Sequence, residues 1–359
     1  MALDSVSIIF YTVNVYSKRL QYRSNMPNLY DVAKYSGVSI ATFSRVLSNQ
    51  TVVHPDTRAR VIEAIKKLDY VPNSLARGLA TSHSNVIGLI IPDITNPFFS
   101  YVARGCEDRC RSHNFDLTIY SASSQELEET AFYRLLRERQ VDGLVLASPA
   151  LSQKTPLRII QDIPKVYIDH APGYEQADCI CVGNAIGAQL AARHLMDLGH
   201  RRIAIVSGFP DSFAGAARLE GFKSVLADNE IELPESFIVT CGFDPSEGMQ
   251  AANTLMSLVS PPTAIFATND MLAIGVLRGL QSLSYKVPAD VSLVGFGDLS
   301  FSQFIIPSLT TVFVDKFELG ARAVDLLLSR LEQPSLTPRR VTLPVELAIR
   351  ESSGVRYEF

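Results

Sequence analysis

The chain predicts a small all-α helix-turn-helix head followed by a two-lobed α/β domain built from two doubly wound parallel sheets. Three observations carry this reading. Between Leu29 and Leu68, apolar residues recur at i, i+3 and i+4, the spacing of helices with one buried face. From Val86 onward, short apolar runs alternate with helical stretches, the pattern of a parallel sheet with crossover helices. That alternation runs through twice, the second pass opening with a helix near residues 185–198. At 359 residues the chain is also longer than a single core usually serves, so two or three domains are expected.

Charge divides along the same line. Residues 26–85 hold seven Lys and Arg against four Asp and Glu, whereas residues 86–359 hold 23 against 32. A basic head on an acidic body places any nucleic-acid contact at the front of the chain. The five cysteines (Cys106, Cys110, Cys179, Cys181 and Cys241) have neither CxxC spacing nor clustered histidines, and read as small buried residues rather than metal ligands. An odd count suits reduced thiols in a cytoplasm. No apolar run reaches the roughly eighteen residues that a transmembrane helix needs, so no membrane contact is expected.

Residues 1–25 include the apolar stretch SIIFYTVNVY without a basic lead or a small-residue cleavage site, which is not a signal-peptide pattern. They are expected to be a poorly ordered extension, with Met26 the better start. A helix-turn-helix domain is then expected over 26–71. Leu29, Val32 and Ala33 mark one face of its first helix, Gly37 supplies a turn, and Ser39 caps a second helix with Phe43, Val46 and Leu47 facing inward. Two short helices joined by a glycine-containing turn place the second one in a DNA major groove. A third helix follows from Asp56 to Leu68 behind Pro55. A plain three-helix bundle would share the spacing but would not need the basic balance.

Residues 72–85 read as a hinge helix and linker. Asn73 can cap a short helix with Leu75 and Leu79 four apart, yet such a helix is too short to hold in water alone and folds only when docked. Leucine there can wedge between base steps in a minor groove. The runs VIGLIIPD, DLTIYSA, GLVLAS, KVYID and CICVG then form a first lobe, with helices near 100–113, 126–139 and 156–162. RIAIVSG, FIVTCG, AIFATND and VSLVGFG form a second, with helices near 216–229, 246–258, 271–284 and 316–332, and LTTVFV and VELAIR close the chain. Ligands of such sheets bind at the carboxyl ends of the strands, here the cleft between the lobes.

Taken in order, these stretches resemble the LacI/GalR family of bacterial transcription regulators (lactose and galactose repressor type) over residues 28–352. YDVAKYSGVSIATFSRVLSN is similar to the family's head, PNSLARGL to its hinge helix, and IPDITNPFFS to the opening of its effector domain. LGHRRIAIVSG, ARLEGF, PPTAIFATNDMLAIGVL, VPADVSLVGFGD and PSLTTV continue the match. The resemblance implies a homodimer on a pseudo-palindromic double-stranded operator. Its effector domain, over 86–352, would be of the periplasmic-binding-protein type. The first lobe would span about 86–184 and 313–338, the second about 185–312 and 339–352, with 353–359 a tail.

Residue by residue, the resemblance implies that Ile40 and Ala41 select bases and that Arg45 reads a guanine, a match its two-pronged guanidinium suits. Ser39, Thr42, Ser44, Thr57 and Arg58 would hold phosphates and set register, with Arg77 and Leu79 at the hinge. In the sensor it implies Phe98 and Phe99 as cleft aromatics, Arg218 as a ligand clamp, Asn269 and Asp270 as the cleft amide and acid, and Phe243 as a ring wall. Two departures stand out. The usual acid–Asn pair at the start of the second lobe reads Gly183-Asn184, and the usual ligand-binding acid is replaced by Gly297 in Gly295-Phe296-Gly297-Asp298. Asp298 is expected to serve instead, or the ligand to be acidic, such as a sugar acid facing few opposing carboxylates.

The function expected is an effector-controlled, sequence-specific DNA-binding regulator, a cytoplasmic, nucleoid-associated repressor of sugar or related catabolic genes. Its effector would be a sugar, sugar acid or nucleoside. The alternative is a solute-binding sensor without a DNA role, which residues 86–352 alone would permit. No catalytic residue, cofactor or metal is expected, because the sequence holds no P-loop, no GxSxG and no carboxylate pair set for acid–base work. His194 and His200 flank a helix end, where a capping or surface role is expected.

Overall fold

The computed structural model describes residues 27–47, 53–70, 84–121, 141–147, 163–169, 177–208 and 212–356. The extension 1–25, the hinge with Arg77 and Leu79, and the helices expected near 126–139 and 156–162 lie outside the described residues. The chain divides into a head unit and a larger unit that begins at Asn85.

The head holds α1 (Leu29–Ser36), α2 (Ile40–Leu47) and α3 (Pro55–Lys67). Asn28 starts α1 with a capping box: its Oδ1 accepts from Tyr30 N at 2.8 Å and Asp31 N at 3.2 Å, while Asp31 Oδ2 accepts from Asn28 N at 2.8 Å. Gly37 ends α1 at φ 64°, the left-handed conformation that glycine adopts without penalty, and this sets the turn into α2. Ser39 Oγ then accepts from Thr42 N at 3.2 Å and caps α2 as the sequence implies. Val32, Ala33, Phe43, Val46, Val61 and Ala64 form the core, with Tyr70 edge-on to Phe43 at 5.9 Å.

The larger unit contains two six-stranded sheets. The first lobe orders its strands β11-β5-β4-β3-β1-β2, all parallel: β1 (Val86–Ile91), β2 (Asp116–Ser121), β3 (Gly143–Leu146), β4 (Lys165–Ile168), β5 (Asp178–Val182) and β11 (Arg340–Leu343). Its described helices are α4 (Pro97–Ser112) and α9 (Lys316–Glu332). The second lobe orders β12-β10-β9-β8-β6-β7: β6 (Ile203–Ser207), β7 (Ile238–Thr240), β8 (Ala264–Ala267), β9 (Ser292–Gly297), β10 (Thr310–Phe313) and β12 (Glu346–Ala348). Only β12 is antiparallel, against β10. The helices α5 (Asn184–Asp197), α6 (Phe213–Asp228), α7 (Pro245–Met256) and α8 (Asp270–Ser282) belong here. Phe266 and Val294 pack with the α5 and α6 residues Ala188 and Phe222, while Ile265 and Leu293 pack with the α8 residues Ala273 and Val276. Both faces are therefore covered, which is why these strands read as unbroken apolar runs.

The chain crosses between lobes three times, after Val182, between Phe313 and Lys316, and between Leu343 and Glu346. The last crossing falls later than expected: β11 pairs with β5 through Val341 and Ile180, so residues 339–343 belong to the first lobe, not the second. Nor does a free tail begin at residue 353. Gly354 N donates to Ser292 Oγ at 3.0 Å and Arg356 N to Leu198 O at 2.7 Å. His200 is buried in that joint, bonded to Thr263 Oγ1, Ser292 Oγ and Gly354 O, rather than in the capping or surface role expected, and the half-buried His194 meets Ser353 Oγ through Nε2 at 2.8 Å. Among the described residues no helix is long and apolar enough to cross a membrane.

Asp178 anchors the β5 end of the first sheet. Its carboxylate is fully buried and accepts from Arg330 Nε at 2.9 Å, Arg339 N at 2.8 Å and Arg339 Nε at 3.3 Å. Burial alone would raise its pKa, but the arginine hydrogen bonds outweigh burial and hold it below the ordinary carboxylate range. Asp178→Asn, which leaves two arginines without a buried counter-charge, is expected to lower unfolding free energy by about 3 kcal/mol in urea titration. Because the folded pKa is depressed, the stabilisation is present above the ordinary carboxylate range and is lost as pH falls through the folded pKa. The variant should lack that segment of the acid limb.

Candidate DNA-reading face and effector cavity

In the head, Ile40, Ala41, Ser44 and Arg45 fall at i, i+1, i+4 and i+5 on the side of α2 opposite Phe43 and Val46. Ser39, Ile40, Ala41 and Arg45 are exposed, while Thr42 and Ser44 are half-buried. Thr57 and Arg58 sit in the first turn of α3, half-buried, behind the His54 cap and Pro55. The residues that the resemblance assigns to phosphates thus lie in the N-terminal halves of α2 and α3, the ends where a helix dipole favours anions. Ile40 and Ala41 are apolar and exposed, and their side chains supply no hydrogen-bonding groups.

In the larger unit, a cavity of about 120 Å³ opens where the strands' carboxyl ends face one another across the two lobes. The first lobe contributes Phe98 and Phe99 from the start of α4 and Asp169 from the end of β4. Asn96 caps α4 by accepting from Phe98 N at 3.0 Å, and the rings of Phe98 and Phe99 meet edge-to-face at 5.3 Å. From the second lobe come Phe213 and Arg218 of α6, Phe243, Asn269, Asp270 and Phe296.

Arg218 is buried and organises this wall. Its Nε donates to Asn184 Oδ1 at 2.8 Å, its Nη1 to Thr268 O at 2.6 Å, and its guanidinium lies 3.7 Å over the Phe296 ring. Burial lowers its pKa to about 10, with Asp169 and Asp270 acting against that shift, so it stays charged at neutral pH. Asp169 Oδ1 accepts from Val182 N at 2.9 Å and Asn184 Nδ2 at 3.0 Å. Burial raises the Asp169 pKa, opposed by Arg218.

Each sensor residue expected from sequence except Asp298 lines the cavity, but not all in the expected way. Asp270 is spent on structure: its carboxylate accepts from Thr311 Oγ1 at 2.5 Å, Leu299 N at 2.7 Å and Ser302 Oγ at 2.9 Å. Asn269 Oδ1 caps α8 at Leu272 N, 2.8 Å away, while its Nδ2 is buried without a hydrogen-bond partner among the described residues, a donor left over for a ligand. Asp298 does not take the place expected of it. Its backbone turns left-handed at φ 50°, and its carboxylate pairs with Arg350 Nη2 at 2.8 Å instead of replacing the acid missing at Gly297. Asp169 is the residue the sequence reading passed over. Its signal was its place at the carboxyl end of the KVYID run, where parallel sheets present their binding groups. Among the described residues, no group of three or more His, Cys, Asp or Glu could hold a metal ion.

The family model for bacterial regulatory proteins of the lacI family matches residues 28–73, and the periplasmic binding protein-like domain model matches residues 192–353. The ribose operon repressor of Escherichia coli strain K12 is 34% identical over 332 residues, covering 91% of this chain and all of the relative. The chain belongs to the lacI family of bacterial regulatory proteins. Another family member, the HTH-type transcriptional repressor PurR of Vibrio vulnificus, is 31% identical and covers 91% of this chain and 98% of its own. A lac repressor dimer bound to operator and the anti-inducer ONPF superposes with a TM-score of 0.82 at 29% identity, covering 91% of this chain and 99% of that one. A lacI-family regulator from Enterococcus faecium with bound ribose gives 0.69 at 32% identity, covering 76% of this chain and all of its own.

Replacing Arg218 by Leu should leave Asp169, Asn184 and the Thr268 carbonyl without their buried partner, and lower unfolding free energy by about 3 kcal/mol. Without the opposing cation the Asp169 pKa rises further. A group whose folded pKa is raised in its neutral form gains stability as pH falls, so the deficit should shrink towards acid pH in urea titrations.

Proposed function

We propose that the chain is a dimeric repressor whose DNA affinity is switched by a small, neutral, hydroxyl-rich metabolite of monosaccharide size held between the lobes. Its working divisions would be a DNA-binding domain over 26–71, a hinge over 72–85 and an effector domain from 86 to about 356. It would work in the cytoplasm on the nucleoid and carry out no catalytic step. The observation that carries the ligand class is the composition of the cavity: two acids, the half-buried Asp169 and the buried Asp270, against one arginine whose Nε and Nη1 already have partners. An anionic ligand would add a third negative charge to a site of low dielectric, whereas sugar hydroxyls can donate to Asp169 and accept from Asn269 Nδ2. A sugar acid looked suitable on sequence because so few opposing acids were counted; Asp169 changes that count. The volume of about 120 Å³ lies below the roughly 300 Å³ where drug-sized pockets begin, which favours one ring over two. Among the relatives, the ribose operon repressor supports a sugar.

Two measurements test this. In a thermal-shift panel, a neutral pentose or hexose should raise the melting temperature, by the equivalent of about 2.7 kcal/mol at a hundredfold excess over Kd. Aldonates should not, and a response to aldonates alone would overturn the ligand class. In selection from fragmented genomic DNA, the wild-type chain should enrich a pseudo-palindrome. Arg45→Ala should relax the preference at one base pair per half-site, at a cost of about 1–3 kcal/mol, with non-specific binding little changed. No enriched sequence for the wild-type chain would restore the solute-sensor reading.

A further inference from the structure

Lys316 is a buried lysine outside the cavity wall. It is the first residue of α9, on the first-lobe side of the second crossing. An ammonium there opposes the positive end of the helix dipole, and burial lowers its pKa against the pull of Asp298, Asp270 and Asp315. Such a placement is unfavourable unless specific partners offset it. Three carbonyl oxygens do so: Gly297 at 2.5 Å, Asp298 at 2.8 Å and Val314 at 3.0 Å. The rings of Phe313 and Tyr101 stand beside it at 5.7 and 6.0 Å.

Gly297 and Asp298 form a bend with two successive positive φ angles, 130° and 50°. The first is a conformation that residues with side chains rarely adopt. While both carbonyls of this bend face Lys316, the following amide, Leu299 N, donates to Asp270. Gly297, Leu299 and Asp270 all line the cavity. The bend is thus gripped on one side by a cavity carboxylate and on the other by an ammonium of the first lobe. Beyond Lys316, α9 is fixed to α4 by Cys106 Sγ on Gly320 O at 3.3 Å and by the Arg109–Asp325 ion pair. The N-terminal turn of α4 carries Phe98 and Phe99 to the opposite wall.

We propose that Lys316 is a positioning residue that locks the Gly297–Leu299 rim of the cavity to the first lobe, so that rim and aromatic wall move as one when a ligand enters. The clause about a ligand rests on the effector reading above; the lock does not. Hydrogen–deuterium exchange on the full chain, with no ligand added, tests it. Lys316→Met keeps the stem and removes the charge. It is expected to speed exchange about tenfold or more at amides 298–301 and in the first turn of α4, with β3 and β8 at wild-type rates. Lys316→Arg should give a smaller rise in the same two segments, because a planar fork cannot turn one nitrogen to three carbonyls. It also stands in for the Met variant should that one not fold. Wild-type rates at the rim, a rise confined to the rim, or a rise spread evenly over the unit would each overturn the proposal. An error in the ligand class would show in the thermal-shift panel and leave this result untouched.

Discussion

The cavity is organised around one buried cation. The Arg218 guanidinium is held by Asn184, the Thr268 carbonyl and the face of Phe296, and it sits in the field of Asp169 and Asp270. Each partner comes from a different element: Asp169 from the end of β4 in the first lobe, Asn184 from the first crossing, Thr268 from the loop after β8, and Phe296 from β9. A charge in a low-dielectric setting tolerates little displacement, so satisfying Arg218 fixes how these ends meet. The Asp169–Asn184–Arg218 chain of hydrogen bonds joins the lobes.

A second lysine-centred junction meets the same cavity from the other side. Asp270 does not wait for a ligand; it accepts three hydrogen bonds that hold the 297–302 bend and the Thr311 hydroxyl. Lys316 takes the carbonyls of that bend. Two polar junctions therefore bracket a wall that carries the rings of Phe98, Phe99, Phe213, Phe243 and Phe296.

Much of this was legible in the sequence, for local reasons. The head announced itself through the i, i+3, i+4 spacing, Gly37 and Ser39. Phe98, Phe99, Arg218 and Asn269 were expected from the family resemblance, and all four line the cavity. Asp298 misled because its direction depends on the left-handed bend begun at Gly297, which no spacing reveals. Asp169 was passed over because its partners lie 13 and 15 residues along the chain, one at the end of the neighbouring strand β5 and one at the start of α5. The strand Arg340–Leu343 was missed because four residues of alternating exposure at a sheet edge carry little apolar signal and run straight into Pro344. His200 looked like a surface residue until the C-terminal segment, folding back over 292–293, buried it.

The central claim is that a compound held by Arg218, Asp169 and Asn269 changes how tightly the head holds DNA. Linkage tests it most directly. The affinity of the wild-type chain for its selected DNA would be measured by fluorescence anisotropy with and without a sugar that stabilises it. The sugar's affinity would then be measured by calorimetry with and without that DNA. The account expects both affinities to change by the same factor, roughly 5- to 150-fold. A sugar that binds the cavity tightly while leaving DNA affinity unchanged would contradict it.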